Sequence, residues 1–287
     1  MKLNFKTVGL LTALILNSAF ATEPVWSTSG LKMPESIEFD ANRDQFYVAN
    51  INGGITEEDG NGSIGLLDGS GKLINVDWVA GLHSPKGLAL RGDKLYVADV
   101  KQLVVINVAT EKVVARYEAK ESLVLNGISI NKAGKVFVSD WTGNRIYTLD
   151  GGELKIWLES AELNSPNGLW ADNNYLYVAS WGKNPKADFT TDTTGNIKKI
   201  SLKTKQIKTI NQGDRWNNMD GITRYGSDKW LISDFIKGEV LLIDKTGQIE
   251  TTIFSKKGAA DIFYVPEKKL VVVPLLMDGQ VSAYKVE

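Results

Sequence analysis

The chain has 287 residues, with 33 basic and 34 acidic side chains, one histidine and no cysteine. The absence of cysteine excludes disulfides, thiolate metal sites and cysteine nucleophiles. The near-neutral charge without a basic tract argues against nucleic acid as a partner.

Residues 1–21 carry Lys2 and Lys6, an apolar stretch from Val8 to Leu16 and the small-residue exit Ala19-Phe20-Ala21. This pattern predicts a secretory signal, too short for a comfortable membrane span. The expectation is a signal peptide over 1–21 and one domain over 22–287, periplasmic or secreted, with no membrane span once the signal is removed. Next comes a lone strand pattern, Pro24-Val25-Trp26-Ser27-Thr28.

From there one phrase recurs six times. It reads Pro34-Glu35-Ser36-Ile37, Pro85-Lys86-Gly87-Leu88, Leu125-Asn126-Gly127-Ile128, Pro166-Asn167-Gly168-Leu169, Met219-Asp220-Gly221-Ile222 and Ala259-Ala260-Asp261-Ile262. Its second position recurs after 51, 40, 41, 53 and 40 residues, the period of a propeller blade. Each copy leads to a β-branched and aromatic run such as Leu95-Tyr96-Val97-Ala98-Asp99 or Val136-Phe137-Val138-Ser139-Asp140. Third and fourth strand patterns follow across polar turns. Four short antiparallel strands, six times over, predict an all-β, six-bladed β-propeller. The sixth copy lacks its outer strand, and residues 24–28 are the candidate that closes the ring and covers the sheet edge.

Equivalent positions of the innermost strands converge on a propeller's axis. The second-position column, Glu35, Lys86, Asn126, Asn167, Asp220 and Ala260, should therefore meet there. Glu35, Asn126, Asn167 and Asp220 offer two carboxylates and two amide carbonyls. That oxygen set suits Ca²⁺ first and Mg²⁺ if water completes the shell, and zinc less well. The Asn-Gly and Asp-Gly pairs also read as turn formers, with glycine there only to admit the chain to the strand.

The four phrases around Glu35, Asn126, Asn167 and Asp220 resemble the senescence-marker-protein/gluconolactonase family of six-bladed propellers over essentially the whole predicted domain. The Glu/Asn/Asn/Asp order is similar to that of paraoxonase and diisopropyl fluorophosphatase. The resemblance implies a divalent cation on Glu35, Asn167 and Asp220, with Asn126 facing substrate or completing the shell. It also implies a small-molecule lactone or ester substrate. The chain departs from the lactonase pattern at Val124, where an arginine usually grips the substrate, and it has no match to paraoxonase-type catalytic histidines.

On this reading Asp220 orients or deprotonates a water. Lys86 either meets a developing oxyanion or substrate carboxylate, or pairs with Glu35 or reaches solvent. Two insertions, residues 52–62 and 182–192, should emerge on the face that holds the column, with Trp181 and Phe189 as apolar ligand contacts. The strand ends Asn50, Asp99, Asp140, Ser180 and Asp234 should rim the same mouth, some of them as capping turns rather than substrate contacts. His83 reads as a loop residue sooner than a catalytic one, and Glu57-Glu58-Asp59 as a solvated tip sooner than a second calcium site. Lys198, Lys199, Lys203, Lys205 and Lys208 read as a solvated sheet face. The rival class is a non-catalytic propeller. Residues 134–146 look like NHL and YWTD repeats, whose families mainly bind proteins or peptides.

Overall fold

In the computed structural model, residues 23–210 and 216–286 are described. The expected signal segment lies outside them. No helix among the described residues is long and apolar enough to cross a membrane.

Six four-stranded antiparallel sheets stand around one axis. Blade one comprises Pro34–Asp40, Gln45–Asn50, Gly62–Asp68 and Leu73–Leu82, innermost strand first. Blade two comprises Pro85–Arg91, Lys94–Asp99, Gln102–Asn107 and Lys112–Glu118. Blade three comprises Leu125–Ile130, Val136–Asp140, Arg145–Asp150 and Glu153–Glu159. Blade four comprises Pro166–Ala171, Tyr175–Ser180, Asn196–Ser201 and Ile207–Ile210. Blade five comprises Met219–Tyr225, Lys229–Asp234, Glu239–Asp244 and Ile249–Phe254. Blade six takes Phe263–Val265, Leu270–Leu275 and Gln280–Lys285 from the end of the chain, and Trp26–Ser29 from its start. Trp26 pairs with Ala283 and Ser29 with Gln280, so the ring closes as the sequence predicts. The only helical turns described are two short 3₁₀ segments, Ala161–Leu163 and Leu276–Asp278.

A blade's second strand is covered on both faces by neighbours, which is why Val136–Asp140 and Tyr47–Asn50 read as unbroken buried runs. The fourth strand faces solvent on one side and alternates instead, as in Lys112–Glu118. The core is a chain of wedges between blades. Tyr47, Ala49 and Ile64 of blade one pack with Leu88, Leu95 and Val97 of blade two. Phe137 and Ile146 of blade three pack with Leu176, Val178 and Ile200 of blade four. Each fully buried side chain of this size contributes about 1.5–3 kcal/mol. Trp157 and Phe137 meet edge to face at 5.3 Å, and Tyr177 joins Trp170 to Trp230.

One surface expectation is corrected. Lys203, Lys205 and Lys208 are exposed, but Lys198 is only 4% exposed. It lies on the third strand of blade four, on the face shared with the buried Ile200.

Candidate functional site

Five innermost strands share one irregularity at the same place. The register slips by one residue between Pro34 and Ser36, Pro85 and Leu88, Leu125 and Ile128, Pro166 and Leu169, and Met219 and Ile222. Each slip is a β-bulge, an extra residue that re-aims the side chain it carries. The bulged residues are Glu35, Lys86, Asn126, Asn167 and Asp220, and all five line one cavity at the channel mouth. None is more than 5% exposed.

The glycine after the bulge has its own cause, and it is not a turn. A Cβ on Gly87 would strike the Asn126 carbonyl, one on Gly127 that of Asn167, and one on Gly168 that of Asp220. Inner strands of successive blades approach too closely for a side chain there. At the blade one–six seam the Asp261 amide donates to the Glu35 carbonyl at 2.9 Å. Ser36 and Asp261 occupy the glycine positions, form a parallel bridge, and join through Ser36 Oγ donating to Asp261 Oδ2 at 3.3 Å.

The chemistry at the mouth is that of unpaired acceptors. Glu35 Oε2, Asn126 Oδ1, Asn167 Oδ1 and Asp220 Oδ1 are buried, and no hydrogen-bond donor among the described residues reaches them. A buried polar atom without a partner is costly, and more so when it carries charge. Burial pushes the Glu35 carboxyl up to about 8, with Asp261 adding to the rise and Lys86 opposing it. Burial raises Asp220 well above the carboxylate range, and Glu35 and Asp261 raise it further. The Lys86 ammonium is pushed down to about 8, chiefly by burial. It donates to Ser84 O at 2.9 Å and Ser84 Oγ at 3.0 Å. It is thus neither ion-paired to Glu35 nor extended to solvent. Among the described residues no three His, Cys, Asp or Glu side chains form a metal cluster. The oxygen set reaches four only with the two amides, which suits a hard cation and not zinc.

Above the oxygens lies an aromatic and aliphatic roof of Trp141, Trp181, Phe189, Phe235, Ile51, Ile55 and Leu276. Trp141 and Trp181 meet edge to face at 5.6 Å. Both insertions contribute, Ile55 from the first and Phe189 from the second. The Phe189 carbonyl accepts from the Trp181 indole N–H at 3.3 Å and from the Asn218 side-chain N–H₂ at 3.4 Å, fixing the second insertion over the mouth. The enclosed space is about 40 Å³, room for about three waters.

The strand ends do not rim this mouth. Asn50, Asp99, Asp140, Ser180 and Asp234 are fully buried. Asp99 accepts from the His83 and Ser84 amides, Asp140 from Leu123 and Val124, and Asp234 from Asn217 and Lys237. These residues cap the chain entering each inner strand. Four of the residues one step further on, Ile51, Trp141, Trp181 and Phe235, build most of the roof, and their signal was available in the sequence. Ile51, Val100, Trp141, Trp181, Phe235 and Leu275 form an apolar column in register with the strand ends. Val124 is buried at 4% exposure, so no cation stands at that position. His83 lies in a separate cleft with Glu58 and Lys101, and Glu58 pairs with Lys101 at 2.8 Å.

No protein-family model matches this sequence, and no curated protein does. Solved structures do. Selenomethionine-substituted virginiamycin B lyase from Staphylococcus aureus aligns with a TM-score of 0.63 at 12% identity, covering 91% of this chain and 99% of that one. A streptogramin B lyase aligns with a TM-score of 0.62 at 11% identity, covering 91% and 98%. At such identity the likeness supports the propeller and no particular activity. The gluconolactonase resemblance rests on the column residues alone.

Proposed function

We propose that this protein is an exported, divalent-metal-dependent hydrolase of a neutral lactone or ester, with Ca²⁺ the best-fitting ion and Mg²⁺ the next. The observation that carries this reading is the set of four donorless acceptor oxygens on Glu35, Asn126, Asn167 and Asp220 at one channel mouth. These residues would hold the ion. When bound, it would polarise the scissile carbonyl and acidify a water.

The chain's own groups divide the remaining work. Asp220, whose burial favours proton uptake, takes the proton of the attacking water. The Asn126 amide N–H₂ is free to hold the substrate oxygen. Lys86 faces the developing oxyanion with a buried ammonium, where charge stabilisation is strongest. The roof excludes bulk water and selects an apolar substrate body. With Val124 in place of a cation, nothing on the roof grips a sugar-acid carboxylate. Export is supported by the pattern of residues 1–21.

The test is chelation followed by restoration with calcium or magnesium, assayed on lactones and esters with apolar acyl groups. Turnover should stop and return. A panel showing no metal-dependent turnover would overturn the hydrolase. One observation favours a second reading, a binding propeller with a structural ion: the roof leaves only about 40 Å³. Under that reading calcium raises the melting temperature without any turnover.

A further inference from the structure

One side chain breaks a column that the fold otherwise keeps uncharged. The third-strand residues paired with the middle of each second strand are Gly65, Val104, Tyr147, Lys198, Leu241 and Ala283. Five are apolar, aromatic or small. The sixth is a lysine, 4% exposed, in the wedge where Val178 and Ile200 of blade four meet Phe137 and Ile146 of blade three. Lysine is almost never buried without a counter-charge. Yet the Lys198 ammonium makes a single hydrogen bond, to Thr209 Oγ1 at 2.9 Å. Among the described residues it has no ion-pair partner.

Lys198 opens onto a cleft of about 440 Å³ between blades three and four. The cleft presents mainly donors. Among the described residues nothing accepts from the other two ammonium hydrogens of Lys198. The Thr209 hydroxyl, already an acceptor, has its own hydrogen to give. Asn144 Oδ1 is taken by the Ser165 amide at 2.8 Å, which leaves the Asn144 N–H₂ for the cleft. Lys183, at the base of the insertion that carries Phe189, adds a second ammonium on the rim. Asn164 Oδ1 is a buried acceptor without a donor, and the exposed Glu162 is the one carboxylate in the lining.

We propose that this cleft is a second ligand site, separate from the channel mouth, which binds an oxyanion of the phosphate or carboxylate class between Lys198 and Lys183. The bound anion supplies the counter-charge that Lys198 lacks, with Thr209 and Asn144 donating to its oxygens. Burial lowers the Lys198 pKa, Glu162 opposes that fall, and Lys183 adds to it. An anion restores the charged form. Because Lys183 begins the second insertion, occupancy also ties that insertion's base to blade four.

The experiment titrates the whole protein with sulfate and, separately, with acetate at constant ionic strength set by chloride. It reads the melting temperature and calorimetric heats. The expected result is saturable binding, with a rise of about 3 °C at tenfold excess over Kd. Preference for sulfate assigns a phosphate-type ligand, and preference for acetate a carboxylate. Lys198→Met, which keeps the volume and removes the charge, should stay folded and lose the response. Lys183→Ala should weaken binding several-fold, and Glu162→Gln should tighten it. Absence of saturable binding of either anion overturns the proposal, as does binding that persists in Lys198→Met. A fall in melting temperature in Glu162→Gln without anion binding would make Glu162 the counter-charge instead.

Discussion

The Ser139 hydroxyl donates to the main-chain carbonyl of Asn167 at 2.7 Å and accepts from the Gly127 amide at 2.8 Å. A single side chain of blade three therefore fixes the bulges of two successive blades. Ser233 repeats this between Gly221 and the Ala260 carbonyl. Replacing Ser139 by Ala leaves a buried carbonyl unpaired, which costs about 1–3 kcal/mol. Ser139→Ala should thus lower the melting temperature and weaken calcium binding several-fold, read by calorimetry. Unchanged calcium affinity would show that Ser139 does not position Asn167.

Asp220→Asn separates site from scaffold. Burial raises the Asp220 carboxyl well above its ordinary value, and Glu35 and Asp261 add to the rise. The metal-free variant should melt higher than the metal-free wild type while losing calcium-induced stabilisation. Turnover should fall by about 10²-fold or more. A variant that melts lower and still responds to calcium would remove Asp220 from the ion's shell.

Two kinds of glycine should respond differently to alanine. Gly168→Ala drives a methyl into the Asp220 carbonyl of the next blade, where neither backbone can yield, and should cost more than about 3 kcal/mol. Gly151 has φ of +60° with nothing near its Cβ position, so Gly151→Ala should cost about 1–2 kcal/mol. Chemical denaturation of the two variants checks the order.

In the metal-free protein, stability should fall as pH rises from 5 to 8. Burial lifts Asp261 to about 7 and Glu35 to about 8. The native state therefore binds more protons than the unfolded chain through this window, and the slope is negative. Above about 8 the depressed Lys86 works in the opposite sense. Calcium should flatten the slope by favouring the ionised carboxylates. Thermal melts across this range, with chelator and with calcium, provide the check; a rising slope in chelator would contradict the burial of these groups.

The repeat made the six blades, the closing strand and the oxygen column legible, because a period near 45 with fixed strand chemistry has few architectural solutions. Val124 was legible as a departure for the same reason. The roof was legible in part: Trp181 and Phe189 follow from the second insertion, whereas Ile51, Trp141 and Phe235 sit where strand patterns end and turns begin, and the apolar column there does not say which way its side chains point. That some strand-end residues cap turns was legible, but not that Asp99 and Asp140 do so fully buried, because a strand-end aspartate suits both solvent and backbone amides. Lys198 was misread because a lysine on a strand is ordinarily a surface residue, and only three-dimensional pairing reveals which strand is third and which is fourth.

The Val25 amide donates to the Ala283 carbonyl at 2.7 Å, side by side with the Trp26–Ser29 pairing. Blade six therefore cannot be completed until the other five blades have been synthesised, which makes its assembly a late folding event. The same adjacency means that residues 23 and 286 of the propeller can be joined by a short linker. A circular permutant opened at the exposed Gly151–Gly152 turn should then keep every blade intact and fold from a new starting point.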